Sequence, residues 1–330
     1  MNAKENALRI MRFDHPEHVA TGYPFHSVRY TGSGHEGYYG GGHHLLAGEK
    51  WTDIWGTEWH KEQEGVMGFP RQHPLADLVT AMKSYHWPDP DDERICGRIT
   101  AMAAGWNRNE AFLEGSHRDT LWEKSYMLVG MENIMCYFYT EPNAVKELLH
   151  HIMDFQLGIA RHYLDIGVEM VGMSDDLGTQ RGLLFSPETI DEFLLPEYRR
   201  LFQLYKSRKV LVNFHSCGYI VPMLKTFMNL GVDVLNPVQA SANDLATVRR
   251  ITQGRMTLLG GLDANVIVHG TPETIRRQVV ERIRQLGQNG GYFCRPDHGV
   301  PWPENNYKAF EQAVAEFGRY PLSQRADENT

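Results

Sequence analysis

The sequence predicts an α/β protein: a (β/α)8 TIM barrel preceded by an irregular N-terminal extension. Short apolar runs alternate with amphipathic helical stretches five times between residues 168 and 318. The runs are apolar on both faces, as strands of a parallel sheet covered by helices must be. Uninterrupted β-α repetition favours a closed eight-stranded barrel over a doubly wound open sheet, and 330 residues accommodate a barrel with an extension.

Residues 1–95 carry FHSVRYTGSGHEGYYGGGHH, WTDIWGTEWH and YHWPDPDDER, rich in Gly, His, Trp, Tyr and Pro and without helical or alternating period. This segment reads as an extension packed on the barrel mouth, with the barrel at 96–320 and a polar tail at 321–330. The early strands are expected between about 65 and 135, with ITAMAA beside Cys96 as the best candidate. In EPNAVKELLHHIMDFQLGIARHYLDIG apolar positions recur at three and four, the period of a buried helix face. VEMVGMSDD, VLVNFHSCG, VDVLNPVQ, MTLLGGLD and GGYFCRPDHG then read as strands. Ser186-Pro187-Glu188 and Thr271-Pro272-Glu273 place a hydroxyl cap before a first-turn proline, and Pro303-Glu304 starts a helix without the hydroxyl. Gly231, Gly254 and Gly287 stand where helices should stop.

Composition narrows the function. A net charge of −8 with no basic block offers no counterion release to drive nucleic-acid binding. No run of about 18 apolar residues is present to span a membrane. The first residues lack the basic start, apolar middle and small-residue site of a secretory leader, so the expected compartment is the cytoplasm. Four scattered cysteines, Cys96, Cys136, Cys217 and Cys294, are too few for a disulfide framework and are read as core, ligand or nucleophile.

In α/β barrels the chemistry gathers at the carboxyl ends of the strands. Here those ends read Ser174-Asp175-Asp176, His215-Ser216-Cys217, Asn236 to Gln239, Gly260 to Asp263, and Cys294 to His298. Strand side chains alternate, so His215 and Cys217 face one way, close enough for an imidazole and a thiolate to share an ion. A third ligand must come from elsewhere: Cys294 ends a strand three β-α units later, and His298 lies in the loop after it. Asp175 and Asp176 face opposite sides; one enters the pore to position a hydroxyl, orient a ligand or move a proton. Gln180, Asn236, Gln239 and Asp263 are candidate substrate contacts. Gly32-Ser33-Gly34-His35-Glu36-Gly37 matches a dinucleotide fingerprint in letters, but no helix can follow it in YYGGGHH, so the loop reads as a substrate lid with His35, Glu36 and Tyr38 as contacts. Trp51, Trp55 and Trp59 have the fourfold spacing of a packed helical stripe.

At SDDLGTQ, NFHSCGYI, GVDVLNPVQ, GGLDA, GTPE and GGYFCRPDHGVPWPEN, in this order and spacing, the chain resembles the uroporphyrinogen decarboxylase superfamily over about residues 95–318. The resemblance implies a (β/α)8 barrel, often a homodimer, with one of two chemistries: cofactor-free decarboxylation, or zinc-dependent methyl transfer involving a corrinoid protein and thiols. The methyltransferases hold zinc on H-x-C and a distant cysteine, which maps to His215, Cys217 and Cys294, with His298 as the rival third ligand. True decarboxylases carry an N-terminal Arg-Gln-Ala-Gly-Arg segment that is absent here. The expected function is therefore a zinc-dependent methyltransferase moving a methyl group between a small substrate or thiol and cobalamin on a partner protein, with Asp175, Asp176 and His298 as catalytic candidates. A metal-free decarboxylase or lyase is the alternative, and a non-catalytic tetrapyrrole- or corrinoid-binding barrel the second.

Overall fold

The computed structural model describes residues 1–299 and 301–322; most of the expected polar tail, 323–330, lies outside the described residues. Seven parallel strands form one curled sheet in chain order: β1 Phe25–Val28, β2 Phe112–His117, β3 Met170–Ser174, β4 Leu211–His215, β5 Val234–Val238, β6 Thr257–Leu262 and β7 Tyr292–Pro296. A single stretch of chain reaches both edges of this sheet. Ala20 bridges Phe293 of β7, and five residues later β1 pairs with β2 from Phe25↔Phe112 to Val28↔Gly115. Among the described residues there are thus seven strands in the sheet rather than the expected eight.

The five strands read from β-α alternation fall where expected. Of the early ones, β2 at Phe112–His117 falls inside the expected window of about 65–135, but the segment singled out there does not form a strand. ITAMAA lies in a helix, Glu93–Ala103, capped by the Asp92 side chain on Arg94 N and burying Ile95 and Ile99 one turn apart. The first strand lies in the front segment instead, so the sheet does not begin at residue 96. Trp51 and Trp59 are not a helical stripe either: they are cross-strand partners in a small antiparallel sheet of Lys50–Thr52, Glu58–His60 and Phe69–Gln72, with stacked rings 6.1 Å apart. Fourfold spacing arose here from a tight hairpin, whose period cannot be told from a helix turn by apolar positions alone.

Two apolar cores flank the sheet. The larger packs the strands' outward residues against the surrounding helices, such as Pro142–Asp165 and Pro272–Leu286. The smaller fills the inside at the strands' amino ends, where Phe112, Met170, Val234 and Phe293 meet Ala7, Ile10 and Met11 of the first helix, Ala3–Arg12. Asn2 caps that helix on Glu5 N, and Lys4 anchors it to Glu169 at 2.6 Å and to the carbonyls of Arg108 and Ala111. Burial of an isoleucine such as Ile10 contributes about 1.5–3 kcal/mol, so the helix is a fixed floor. Thr271 forms a capping box, Ser186 caps its helix through its hydroxyl, and Gly231 and Gly287 end theirs, as read from the sequence; Pro303 precedes the last helix at its N-cap position with no side-chain hydrogen bond. No helix among the described residues is long and apolar enough to cross a membrane.

Candidate metal centre

Strand β4 alternates as its letters require: Val212 and Phe214 enter the outer core, while Asn213 and His215 face the inside. Cys217, two residues on, keeps that direction, its Sγ 3.3 Å from His215 Nε2. From the neighbouring strand end Asp176 joins them, its Oδ1 3.6 Å from the same nitrogen and accepting from Cys217 N–H at 2.8 Å. The carboxylate oxygen, Nε2 and Sγ all lie within 4.8 Å of one another, and all three side chains are half-buried. Gly218 fixes the turn that follows. Its φ is +83°, and a Cβ there would meet the Gly178 carbonyl carbon at 2.4 Å, so only glycine lets the two strand-end loops touch.

The electrostatics suit a cation. Burial and the charge of Asp176 push the Cys217 thiol up to about 12, so without a positive partner it stays protonated. A divalent ion in the triangle would supply that partner and favour thiolate. His215 is oriented from behind, with Nδ1 3.0 Å from Asn236 Oδ1. Beneath the triangle lies a cavity of about 300 Å³ lined by Tyr23, Glu114, Asn213, Asn236, Arg295 and His298, among others.

The structure divides the remaining sequence candidates. Asp175 faces away from the pore, fully buried, accepting from the N–H groups of Leu121 and Glu123 at 2.8 Å each and from the Tyr198 hydroxyl at 2.7 Å. Burial pushes its carboxyl up to about 7. These bonds pin the segment after β2. Cys294 is not brought to His215 and Cys217: it is fully buried on the helix side of β7, beside Tyr292 and Arg282. Strand alternation explains this, because Arg295 and not Cys294 lines the cavity. His298 does reach the mouth, with Nδ1 3.1 Å from Asp297 and Nε2 3.2 Å from the Gln239 amide. Asn236 backs His215, and Gln239 holds the Gly218 N–H. Asp263 caps the helix Ala264–His269, and Gln180 is exposed, meeting Ser241 at 3.4 Å.

In the glycine loop, His35, Glu36 and Tyr38 all make contacts within the protein. Glu36 accepts from Gly32 N and Gly34 N at 2.9 and 2.8 Å, and Tyr38 lies under the Arg94 guanidinium. His35 is buried, stacked on Trp59 at 4.1 Å and bonded to both Asp119 and His43. Two residues missed in the sequence complete the mouth. Asp119 follows β2, where burial opposes its charge but His35, Lys124 and Arg118 hold its carboxyl well below the usual range. Glu123 is pushed up to about 9 by burial and then by Asp119, Asp175 and Asp176. The strand-end pattern used elsewhere would have found Asp119 in EGSHRD, had that run been read as a strand.

Comparison with known proteins agrees with this architecture. The family model for uroporphyrinogen decarboxylase matches residues 122–317. A uroporphyrinogen decarboxylase from Microcystis aeruginosa is 28% identical over 202 residues, covering 59% of this chain and 53% of the relative. A methylated-thiol–coenzyme M methyltransferase from Methanosarcina mazei is 25% identical over 190 residues, covering 57% and 49%. The chain thus spans about half the length of the curated relatives it matches. A methyltransferase structure from Methanosarcina mazei superposes with a TM-score of 0.64 at 15% identity, covering 94% of this chain and 83% of that one, which supports the fold. The family match takes in both the Asp176–His215–Cys217 triangle and the strands that carry it, extends over more than half of the sequence, and establishes that the chain belongs to the uroporphyrinogen decarboxylase family.

Proposed function

We propose that this protein is a zinc-dependent methyltransferase that moves a methyl group between a small substrate or thiol and a corrinoid protein. The observation that carries the reading is the convergence of Asp176, His215 and Cys217 at the open end of the sheet. An oxygen, a nitrogen and a sulfur donor form a set that zinc accepts, and three protein ligands leave a fourth position for a reacting group. Asp176 takes the third place that the sequence resemblance gave to Cys294. Zinc bound there would act as a Lewis acid and hold a coordinated sulfur as the nucleophilic thiolate.

The chain's own residues do the rest. Asn236 orients the imidazole, and the N–H of Cys217 orients the Asp176 carboxylate. Glu123, the neutral carboxyl of the mouth, holds a proton near the rim, and His298, paired with Asp297, is a second proton-handling group. The methylated-thiol methyltransferase relative supports this class of chemistry.

The decarboxylase relative supports a second reading, metal-free loss of carbon dioxide. Asp119, Glu123, Asp176 and Asp297 crowd the mouth with carboxyl groups, a poor host for a substrate bearing several carboxylates. Zinc analysis of the purified, zinc-loaded protein, alongside assays for demethylation of a methylated corrinoid by a thiol and for carbon dioxide release, separates the readings. About one zinc per chain with methyl transfer is expected; a protein that takes up no zinc and releases carbon dioxide overturns the proposal.

A further inference from the structure

Five polar side chains run in single file from the rim down into the cavity. His215 Nδ1 lies 3.0 Å from Asn236 Oδ1, and the Asn236 amide N–H donates to Asn213 Oδ1 at 2.5 Å. Asn213 in turn donates to the Tyr23 hydroxyl at 2.6 Å, and that hydroxyl donates to Glu114 Oε1 at 3.3 Å. An amide has one accepting end and one donating end, so each link fixes the sense of the next. With every donor aimed away from the rim, the imidazole proton sits on Nδ1. Nε2 then keeps its lone pair, and it is Nε2 that faces Asp176 and Cys217.

The file can run in one other sense. If Glu114 donated to Tyr23, each amide would turn over, Asn236 would donate to Nδ1, and the proton would move to Nε2. A carboxylate can only accept, so an ionised Glu114 permits one of the two senses alone. The fold makes room for this group at some cost. Glu114 is buried, its Oε2 has no hydrogen-bond partner among the described residues, and burial pushes its carboxyl up to about 7. The Glu114 carboxyl lies against Gly172 of β3, where a Cβ would stand 2.7 Å from Oε1. An orphaned buried carboxyl oxygen is destabilising and calls for a role outside folding.

We propose that Glu114 is a positioning residue: as the accept-only end of this file, it holds the His215 proton on Nδ1 and leaves Nε2 bare toward Asp176 and Cys217. The inference deepens the metal-centre reading and gives that centre a control point at the opposite end of the cavity.

The test begins without metal. Nitrogen chemical shifts of the His215 imidazole are measured in the metal-free, ¹⁵N-labelled protein and in Glu114→Gln, Glu114→Leu and Gly172→Ala. At pH 8.5, where the Glu114 carboxyl is ionised, the wild type is expected to hold the Nδ1–H form, and each variant a mixture with the Nε2–H form. Zinc affinity by chelator competition should then fall about 2–10-fold in the variants, in proportion to the share of His215 lost from the Nδ1–H form. The thermal midpoint of metal-free Glu114→Leu should stay level or rise, because the orphaned oxygen is gone; a merely structural role for Glu114 would lower it. If Gln and Leu at 114 leave the imidazole in the wild-type form, the inference is overturned. If Glu114 controls the tautomer but the wild type binds no zinc, the metal reading falls and the inference stands.

Discussion

The molecule holds two histidine clusters of nearly the same composition and opposite character. In the front segment, His35 and His43 meet Asp119; at the sheet's open end, His215 meets Cys217 and Asp176. In the first, every ring nitrogen is spoken for. Gly68 N–H donates to His43 Nδ1 at 3.0 Å, so His43 gives its own proton to His35, which gives its to Asp119. His35 is also sandwiched on Trp59. In the second, one nitrogen of His215 is held from behind while the other faces two further donor atoms. Residue type does not separate a lock from a ligand site; the count of uncommitted lone pairs does.

The sharpest way to break this contrast is Cys217→Ser. Zinc content should drop from about one per chain toward zero, measured by elemental analysis, while circular dichroism and thermal midpoint of the metal-free protein stay near wild type because the rim is half-buried. In the front cluster the consequence should be inverted. Trp59→Ala removes a ring that stacks on His35 and Trp51 and donates to Asp53 at 3.0 Å, and should cost about 3–5 kcal/mol in urea unfolding without changing zinc per folded chain.

Acid should then act on the front cluster. Burial and the neighbouring His35 hold His43 down at about 4 against an ordinary 6.5, and burial also lowers His35. Both rings are neutral when folded, so their contribution is full above pH 6.5 and is lost as pH falls toward 4, where the unfolded chain takes up protons that the lock refuses. Hydrogen exchange across residues 32–44 should quicken over that window, and His43→Gln should flatten the dependence. The smallest effect is expected from Cys294→Ala: zinc stoichiometry unchanged and stability lower by about 1 kcal/mol, as for an ordinary core substitution. Loss of zinc in that variant would return Cys294 to the centre.

Much of the periodic half was legible because strands and helices there write their burial into the letters. His215 and Cys217 could be placed on one side of β4 from alternation alone, and the opposed roles of Asp175 and Asp176 followed from adjacency. The same rule, applied to Cys294 and Arg295, would have turned Cys294 away from the pore. The third donor was harder, since a carboxylate in a loop can serve as cap, pair or ligand, and only the distance to His215 decides. The front half resisted because its order rests on contacts remote in sequence. β1 is four residues long and offers too short an alternation to register, and His35 finds Asp119 across 84 positions. Tyr23 supports Asn213 across 190.

That last pairing has a temporal meaning. Because the stretch around residues 20–28 touches both the second strand and the last, the inner wall of the cavity is complete only when late and early parts of the chain have met. During synthesis on the ribosome, His215 emerges well before Arg295 and His298 exist to close the wall beside it. Closure of the cavity wall accordingly waits for nearly the whole chain, and a nascent chain stalled before residue 290 is expected to carry Asp176, His215 and Cys217 without that wall beside them.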